Sequence, residues 1–535
     1  MMIRSSLAVV FALVCFGRNA PAETLRVPQD HKTIQAAINA ATTGDTVLVE
    51  AGTFHEKIQL KPGVAVRSAG DDLKGKLGLQ RAEATIIDGE GVKAEGPGVA
   101  MAEGSTLDGF TVTNVGVYDE AEWTRHHATQ GNEQAHEPIG QPGTAGISAI
   151  GVTCTIQHNL VHHIGYSGIA IQGAEGKRCS PHVVRNVCYR NMGGGIGSMQ
   201  GSTAIIEANV CFQNFYAGIG HEGSSPLVIN NVCYENIRAG IGISEGASPA
   251  VRGNKCYRNR RAGIGIRTGA DTRPLVEDND CFENDMAGIG CEEDCQPMLR
   301  KNRCRENALA GIGCQHNARP TIVGNECSRN KAVGIGFDAT ESGSAEVLDN
   351  RVFDNEKVAI GIQSGWKVRL AGNELSRPAG LPPLVMVFQG AEADFSDNTF
   401  RGSGVAGIRA EGIIRVTNNT FDCPTLRAVG PPQFAVWGLP GSDIVFAGNK
   451  VSGWRHALLA DKSSVTASDN RITNYGSVGI RIDQPIGTAV VVGNTFESER
   501  DRIGVALTGG EGILDNNRVE KASITLPAEE SQTEK

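Results

Sequence analysis

One sentence of sequence recurs about every 23 residues between Asn186 and Asn355: N-x-C-(Y/F)-x-N-x-x-A-G-I-G-x-x-x-G-x-x-P-x-V-x-x-N. Its first Asn falls at Asn186, Asn209, Asn231, Asn254, Asn279, Asn302, Asn325 and Asn350, at steps of 22 to 25 residues. A unit this short cannot bury its own apolar side chains, so it must stack on copies of itself. Weaker copies continue at Asn159 and at Asn373, Asn398, Asn419, Asn449, Asn470, Asn494 and Asn517, sixteen in all. The region before residue 150 has room for about three more.

Within a unit the apolar residues alternate. In the run Ala239 to Ile243, Ile241 and Ile243 share one face, as strand side chains do. Short runs around Val251 and Cys256 complete the unit. Three short strands with turns between them make one coil of an all-β parallel solenoid. Helical repeats lack this density of Gly, Asn and Val, and the Leu lattice of leucine-rich repeats is absent. Coils stacked at strand spacing, about 4.8 Å, would make a rod of about 19 coils and about 90 Å. Length alone would suggest several domains. The repeat overrides that, giving one solenoid over residues 23–526, most regular over 186–365, with a polar, disordered tail at 527–535.

The repeating residues read as scaffold. Asn at a coil corner tolerates the left-handed conformation and can hydrogen-bond its neighbours along the rod. Cys188, Cys211, Cys233, Cys256, Cys281, Cys304 and Cys327 occupy one repeat position and predict an internal column of thiols. Stacked neighbours have parallel Cβ vectors, which is poor disulfide geometry, so the column is expected to be reduced. Cys291 and Cys314 form a second, two-member column. Zinc spacing of the C-x-x-C kind is absent, and Cys291-x-x-x-Cys295 is too isolated to read as zinc.

Residues 1–22 read as an export signal: Arg4, an apolar run from Leu7 to Phe16, then Ala20-Pro21-Ala22. That run is too short to span a membrane. The expected compartment is periplasmic or extracellular. Formal net charge is −9 with both signs mixed along the chain. No basic stripe points to nucleic acid.

Thr33 to Ala41 is amphipathic, with Ile34, Ala37, Ile38 and Ala41 on one face. A cap helix over about 31–42 would cover the open end of the first coil. The order T-I-Q-A-A-I-N-A-A, G-D-T-V-L-V and G-T-F-x-E resembles the opening of the right-handed parallel β-helix superfamily of pectate-lyase type. That superfamily includes carbohydrate-active enzymes and the periplasmic accessory protein of nitrous oxide reductase maturation. The resemblance covers nearly all of the mature chain and implies a right-handed coil. It carries over no catalytic residue. Gly52 to Glu56 matches an early element of pectin methylesterases, but the elements with that family's catalytic aspartates and arginine are missing. Gly220-His221-Glu222-Gly223 only approaches the G-H-G element of polygalacturonases. The motifs of classical pectate lyases and alginate epimerases are absent.

Function is then sought where the pattern breaks. An insertion over about 115–143 holds Asp119, Glu120, Glu122, Trp123, Arg125, His126, His127, Glu133, His136 and Glu137. Long ordered loops tend to be functional. Trp123 could stack on a sugar, and the carboxylates with His126, His127 and His136 could do acid–base work. Eight of twelve histidines lie between residues 126 and 221. Of these, His126, His127, His136, His163 and His182 are candidate metal ligands. Strand alternation says that His162 and His163 face opposite ways and that His221 points inward. The position two after G-I-G holds Glu222, Ser244, Arg267, Glu292, Gln315, Asp338 and Gln363, an outward polar row beside outward glycines. Glu222, Arg267 and Glu292 are its catalytic candidates, although Arg267 and Glu292 could equally be a plain cross-strand pair.

Three functions stay open. One is an exported lyase, hydrolase or epimerase of an acidic polysaccharide. Another is a non-catalytic carbohydrate- or metal-binding accessory protein. The third is a structural surface rod. Calcium or another divalent metal is the cofactor such side chains would take.

Overall fold

A computed structural model describes residues 21–72, 75–91, 96–129, 143–402, 404–427 and 430–525. The chain winds into a right-handed parallel β-helix of about 21 turns, slightly more than the repeat count suggests because the terminal coils have lost the consensus. Each turn contributes a short strand to each of three walls. One coil is Leu227–Ile229, Val232–Tyr234 and Ile241–Ser244. The next is Ala250–Arg252, Lys255–Tyr257 and Ile264–Ile266. Their strands pair in parallel and in register, Val228 with Val251, Cys233 with Cys256 and Ile241 with Ile264. The first wall is a 20-stranded sheet. The other two, called here the cysteine wall and the glycine wall, join into one sheet through the long strand Thr495–Thr508.

Stacking in register turns each repeat position into a column. The seven cysteines of the first column are buried free thiols between Val161 and Val352. A small residue is needed there because the corner is tight. A Cβ added to Gly240 would lie 3.0 Å from the Cys256 Cβ and 2.6 Å from the Gly263 carbonyl.

The asparagines satisfy the backbone where the walls meet. The Asn254 amide donates to the Val228 carbonyl (3.0 Å) and to the Asn279 Oδ1 (2.9 Å), and its own Oδ1 accepts from the Asn231 backbone N–H (2.9 Å). Asn186 to Asn517 repeat this bond along the rod. A second ladder, Asn191 to Asn355, does the same at the next corner, donating from Asn214 onward to cysteine carbonyls. The left-handed residue at each corner is the one before the ladder asparagine, not the asparagine itself. Asn230, Asp278 and Lys301 have φ of 56°, 55° and 54°. The ladder residue is reserved for hydrogen bonding and its neighbour takes the turn.

The first coil is capped by helix α1 (Ile34–Ala40), whose N-cap Thr33 accepts from the Ala36 N–H and which buries Ile34, Ala37 and Ile38. The Glu56 carboxylate accepts from the Ile34 and Gln35 N–H groups at 2.8 and 3.0 Å, so Glu56 of the G-T-F-x-E element is a structural anchor. Helix α2 (Gln80–Ala84) lays Leu79 and Ala82 over Leu160 and Val187 on the cysteine wall. Its buried Arg81 pairs with Asp72 and Asp108, and Asp108 also holds His158 Nδ1 at 3.1 Å.

His221 points into the core, 1% exposed, in the column of Ser198, Ile243 and Ile266. Neither ring nitrogen has a hydrogen-bond partner among the described residues. Burial pushes its pKa down to about 3. Between about pH 6.5 and 3 the unfolded chain therefore binds a proton at this side chain that the folded chain does not, and stability falls as pH falls through that window. The loss is about 5 kcal/mol at most. His221→Ile, which copies the next coil, should raise stability at pH 5 and flatten the acid limb of a denaturant-melt series, leaving the smaller contribution of other buried histidines. Asn254→Ala should cost about 3 kcal/mol, because it strands the Val228 carbonyl and the Asn231 N–H; a lowered thermal midpoint with unchanged β-sheet circular dichroism checks it.

Candidate functional site: a glycine-floored groove

On the glycine wall, Ile219 and His221 point in while Gly220 and Glu222 point out. The outward glycines, Gly220, Gly242, Gly265 and Gly290, stack in register. Among the described residues, a Cβ added to Gly220 would meet no atom within 4 Å, and one added to Gly265 would meet only the Ala239 Cβ at 3.7 Å. The wall is thus a smooth floor running along the rod axis.

One side of the floor is the polar row of Glu222, Ser244, Arg267 and Glu292, of which Glu222 and Arg267 are exposed and Glu292 half-buried. The other side is the column before A-G-I-G: Tyr166, Gly193, Tyr216, Arg238 and Arg261. Gly193 has no side chain, so Tyr166 and Tyr216 meet across it edge to face, centroids 6.0 Å apart. The Arg238 guanidinium lies over the Tyr216 ring at 4.5 Å. Burial, then the neighbouring Arg261 and Arg267, push the Arg238 pKa below its ordinary value. Arg261 is lowered by burial and Arg267, against the pull of Glu292. Burial, then Tyr216 and Glu222, raise Tyr166, so the charge of Glu222 is felt across the floor. Arg238, Arg261 and Arg267, close enough for the latter two to lower Arg238 and for Arg267 to lower Arg261, make a local positive field suited to an anion. Arg267 and Glu292 form no direct ion pair among those of the described residues, so the plain cross-strand pairing does not occur.

The described part of the insertion forms helix α3 (Glu120–Ala128), N-capped by Asp119, whose carboxylate accepts from the Glu122 N–H at 2.9 Å. The helix docks on the corner beside the groove. Trp123 is 4% exposed among Met192, Phe215 and Ile237, and its Nε1–H donates to the Gln213 carbonyl at 2.9 Å. His127 stacks on its ring at 4.6 Å and the Arg190 guanidinium lies over it at 4.2 Å. Trp123 therefore offers no open face to a sugar, correcting the stacking role expected of it. Both carboxylate oxygens of Glu120 accept from the Arg190 Nη1 (2.8 and 2.9 Å). Glu122 binds Arg125 and, at 3.0 Å, the buried His126, which stands edge-on to Phe215. Burial and Arg260 hold His127 below the ordinary histidine pKa. Asp119, Glu120, Glu122, His126 and His127 thus serve α3, and Tyr216, packed against the same cluster, links the helix to the groove. His136, Glu133 and Glu137 lie outside the described residues.

The described histidines do not converge on one point. His182 pairs with Glu207 at 3.3 Å. His162 and His163, expected to diverge, bring their Nδ1 atoms to 2.8 Å, because His163 sits at a corner with φ 54° and breaks the alternation. Burial, then His163, lowers the His162 pKa to about 4. Among the described residues no group of three or more His, Cys, Asp or Glu side chains is placed to hold a metal ion.

Reading the row after G-I-G found Glu222, Arg267 and Glu292 but missed Tyr166, Tyr216, Arg238 and Arg261. The signal was there. The position before A-G-I-G changes from Tyr216 to Arg238, Arg261, Met286 and Leu309 while its neighbours repeat.

Residues 98–273, 234–375 and 383–525 match the family model of the right handed beta helix region. This is well over half of the chain, and the chain belongs to that family. No curated protein matches its sequence. Among solved structures it is similar to the A-module of the mannuronan C-5 epimerase AlgE4 of Azotobacter vinelandii, at 18% identity over 68% of this chain and 89% of that one, TM-score 0.37. It is also similar to the PL6 family alginate lyase AlyGC, at 10% identity over 95% and 100%, TM-score 0.34. A third is the pectate lyase Pel9A, at 13% identity over 65% and 79%, TM-score 0.32.

Trp123→Ala should undock α3, since removing a buried Trp costs about 3–5 kcal/mol. Hydrogen exchange should show lost protection across residues 119–129 and at Phe215 and Tyr216, with coils beyond residue 300 unchanged.

Proposed function

We propose that this chain binds an acidic polysaccharide strand along the glycine-floored groove. The observation that carries the reading is the cluster of Arg238, Arg261 and Arg267 beside the glycine floor, with Tyr216 beneath Arg238. A linear, repeating anion fits a site whose glycine floor repeats in register from coil to coil. Guanidinium groups suit carboxylates because their donors pair with both oxygens, and a tyrosine edge beside them supplies an apolar contact for a sugar ring. Glu222 and Glu292 on the far side would reject a strand set in the wrong register, as like charges do. The reading of residues 1–22 as an export signal supports a glycan met outside the cytoplasm. None of the helices among the described residues is long and apolar enough to cross a membrane.

The test is retention on immobilised polygalacturonate and alginate, with a neutral glucan as control. Arg238→Gln with Arg267→Gln should weaken uronate binding at least ten-fold, because each charged hydrogen bond is worth about 1.5–3 kcal/mol. Binding should also fall steeply as salt rises. Equal retention on the neutral glucan, or binding indifferent to the double variant, overturns the reading. Unsaturated or shortened products in the same incubations would extend it to turnover.

A further inference from the structure

The structure assigns a disulfide-forming pair to Cys291 and Cys295, one modification site among cysteines that otherwise stay reduced.

The argument begins with a turn used more than once. After the strands of the glycine wall the chain folds back in four residues, with two left-handed residues and an N–H to carbonyl bond closing the turn. In one coil the left-handed residues are Gln200 and Gly201, and the Ser202 N–H bonds the Met199 carbonyl at 3.3 Å. In another they are His316 and Asn317, with the Ala318 N–H on the Gln315 carbonyl at 3.3 Å. In the coil of interest they are Glu293 and Asp294, φ 55° and 63°, with the Cys295 N–H on the Glu292 carbonyl at 3.3 Å. Cys291 stands in the column of Ser198, and Cys295 holds the place that Ser202 holds in its turn.

This turn aims its first and fifth side chains at each other. The Ser198 and Ser202 hydroxyl oxygens are 2.6 Å apart. Cys291 and Cys295 hold the first and fifth positions of the same turn, and both are free, fully buried thiols. Two Cβ atoms held face to face across a tight turn can close a sulfur–sulfur bond without moving the backbone. The columns of stacked cysteines cannot. Cys291 and Cys314 are register partners on adjacent parallel strands, so their Cβ vectors run side by side, as they do along Cys188 to Cys327. The turn ending at Ala318 has Cys314 at its start but no second thiol.

The oxidant is a small-molecule disulfide such as oxidised glutathione. One cysteine, as its thiolate, attacks the glutathione disulfide, forming a mixed disulfide and releasing one glutathione thiolate. The second attacks the protein sulfur of that mixed disulfide, closing the Cys291–Cys295 bond and releasing the other. The protein loses two electrons, the glutathione disulfide gains them, and the two cysteine protons end on two glutathione thiols. The exposed turn Glu293–Asp294 lies directly over the pair and is the segment whose opening admits the oxidant.

The test incubates the purified full chain in a mixture of oxidised and reduced glutathione. The sample is acid-quenched, unfolded and alkylated without reduction, then digested for mass spectrometry. Expected is a peptide in which Cys291 and Cys295 carry no label and the mass is lower by two hydrogens, while every other cysteine is alkylated. Cys295→Ser, which copies Ser202, should keep the fold and leave Cys291 alkylated; Cys314→Ser should leave the bridge in place. Alkylation of both Cys291 and Cys295, or a bridge that instead joins Cys291 to Cys314 or Cys154 to Cys179, overturns the assignment.

Discussion

The asparagine amide laid along the rod axis is the bond on which this fold depends. A coil that turns between walls breaks the strand ladder at every corner and leaves backbone groups facing the interior. Burying them unpaired would cost about 1–3 kcal/mol each, repeated at two corners over many turns. Each ladder asparagine accepts the N–H of the previous asparagine, donates to a carbonyl of the coil before, and donates onward to the next amide. Such side-chain chains can strengthen cooperatively in a low-dielectric interior. The other repeating choices follow: a left-handed residue before each asparagine, a cysteine small enough to sit against the corner glycine, and isoleucines filling the rest.

Because these columns are fully committed to holding the rod, chemistry can be placed only at positions the columns leave free. The outward glycines provide a floor, and the positions on either side of G-I-G provide two rows that vary without disturbing the interior. Tyr216 shows how local the freedom is. Its neighbour Phe215 is buried under α3, while Tyr216 itself turns to the groove and carries Arg238 on its ring. Scaffold and site are separated by one residue along the chain.

The fold was legible in the sequence because period, alternation and corner residues all say the same thing about one short unit. Of the site, the row from Glu222 to Glu292 was legible for the same reason, since alternation alone sets which way it points. The opposite row was not, because Tyr166 and Tyr216 meet across a coil whose residue is Gly193, a contact between turns that no single repeat displays. Alternation also failed at His162 and His163, where a corner conformation intervenes. The insertion was misread for a third reason. The role of Trp123 is fixed by a carbonyl ninety positions away, at Gln213, and composition cannot tell a tryptophan awaiting a sugar from one closing a hydrophobic cluster.

Stacking in register makes the length of this rod nearly a free variable. Removing or adding one whole coil moves every column by one step and leaves each ladder intact, so the number of turns can drift without penalty to packing. Helix α3 is an exception. It is bolted to Arg190, Gln213, Phe215 and Ile237 in three successive coils, and no coil can be gained or lost beneath it without breaking one of those bolts. The stretch of rod whose turn count is thereby locked is the stretch that carries Tyr216 and Arg238.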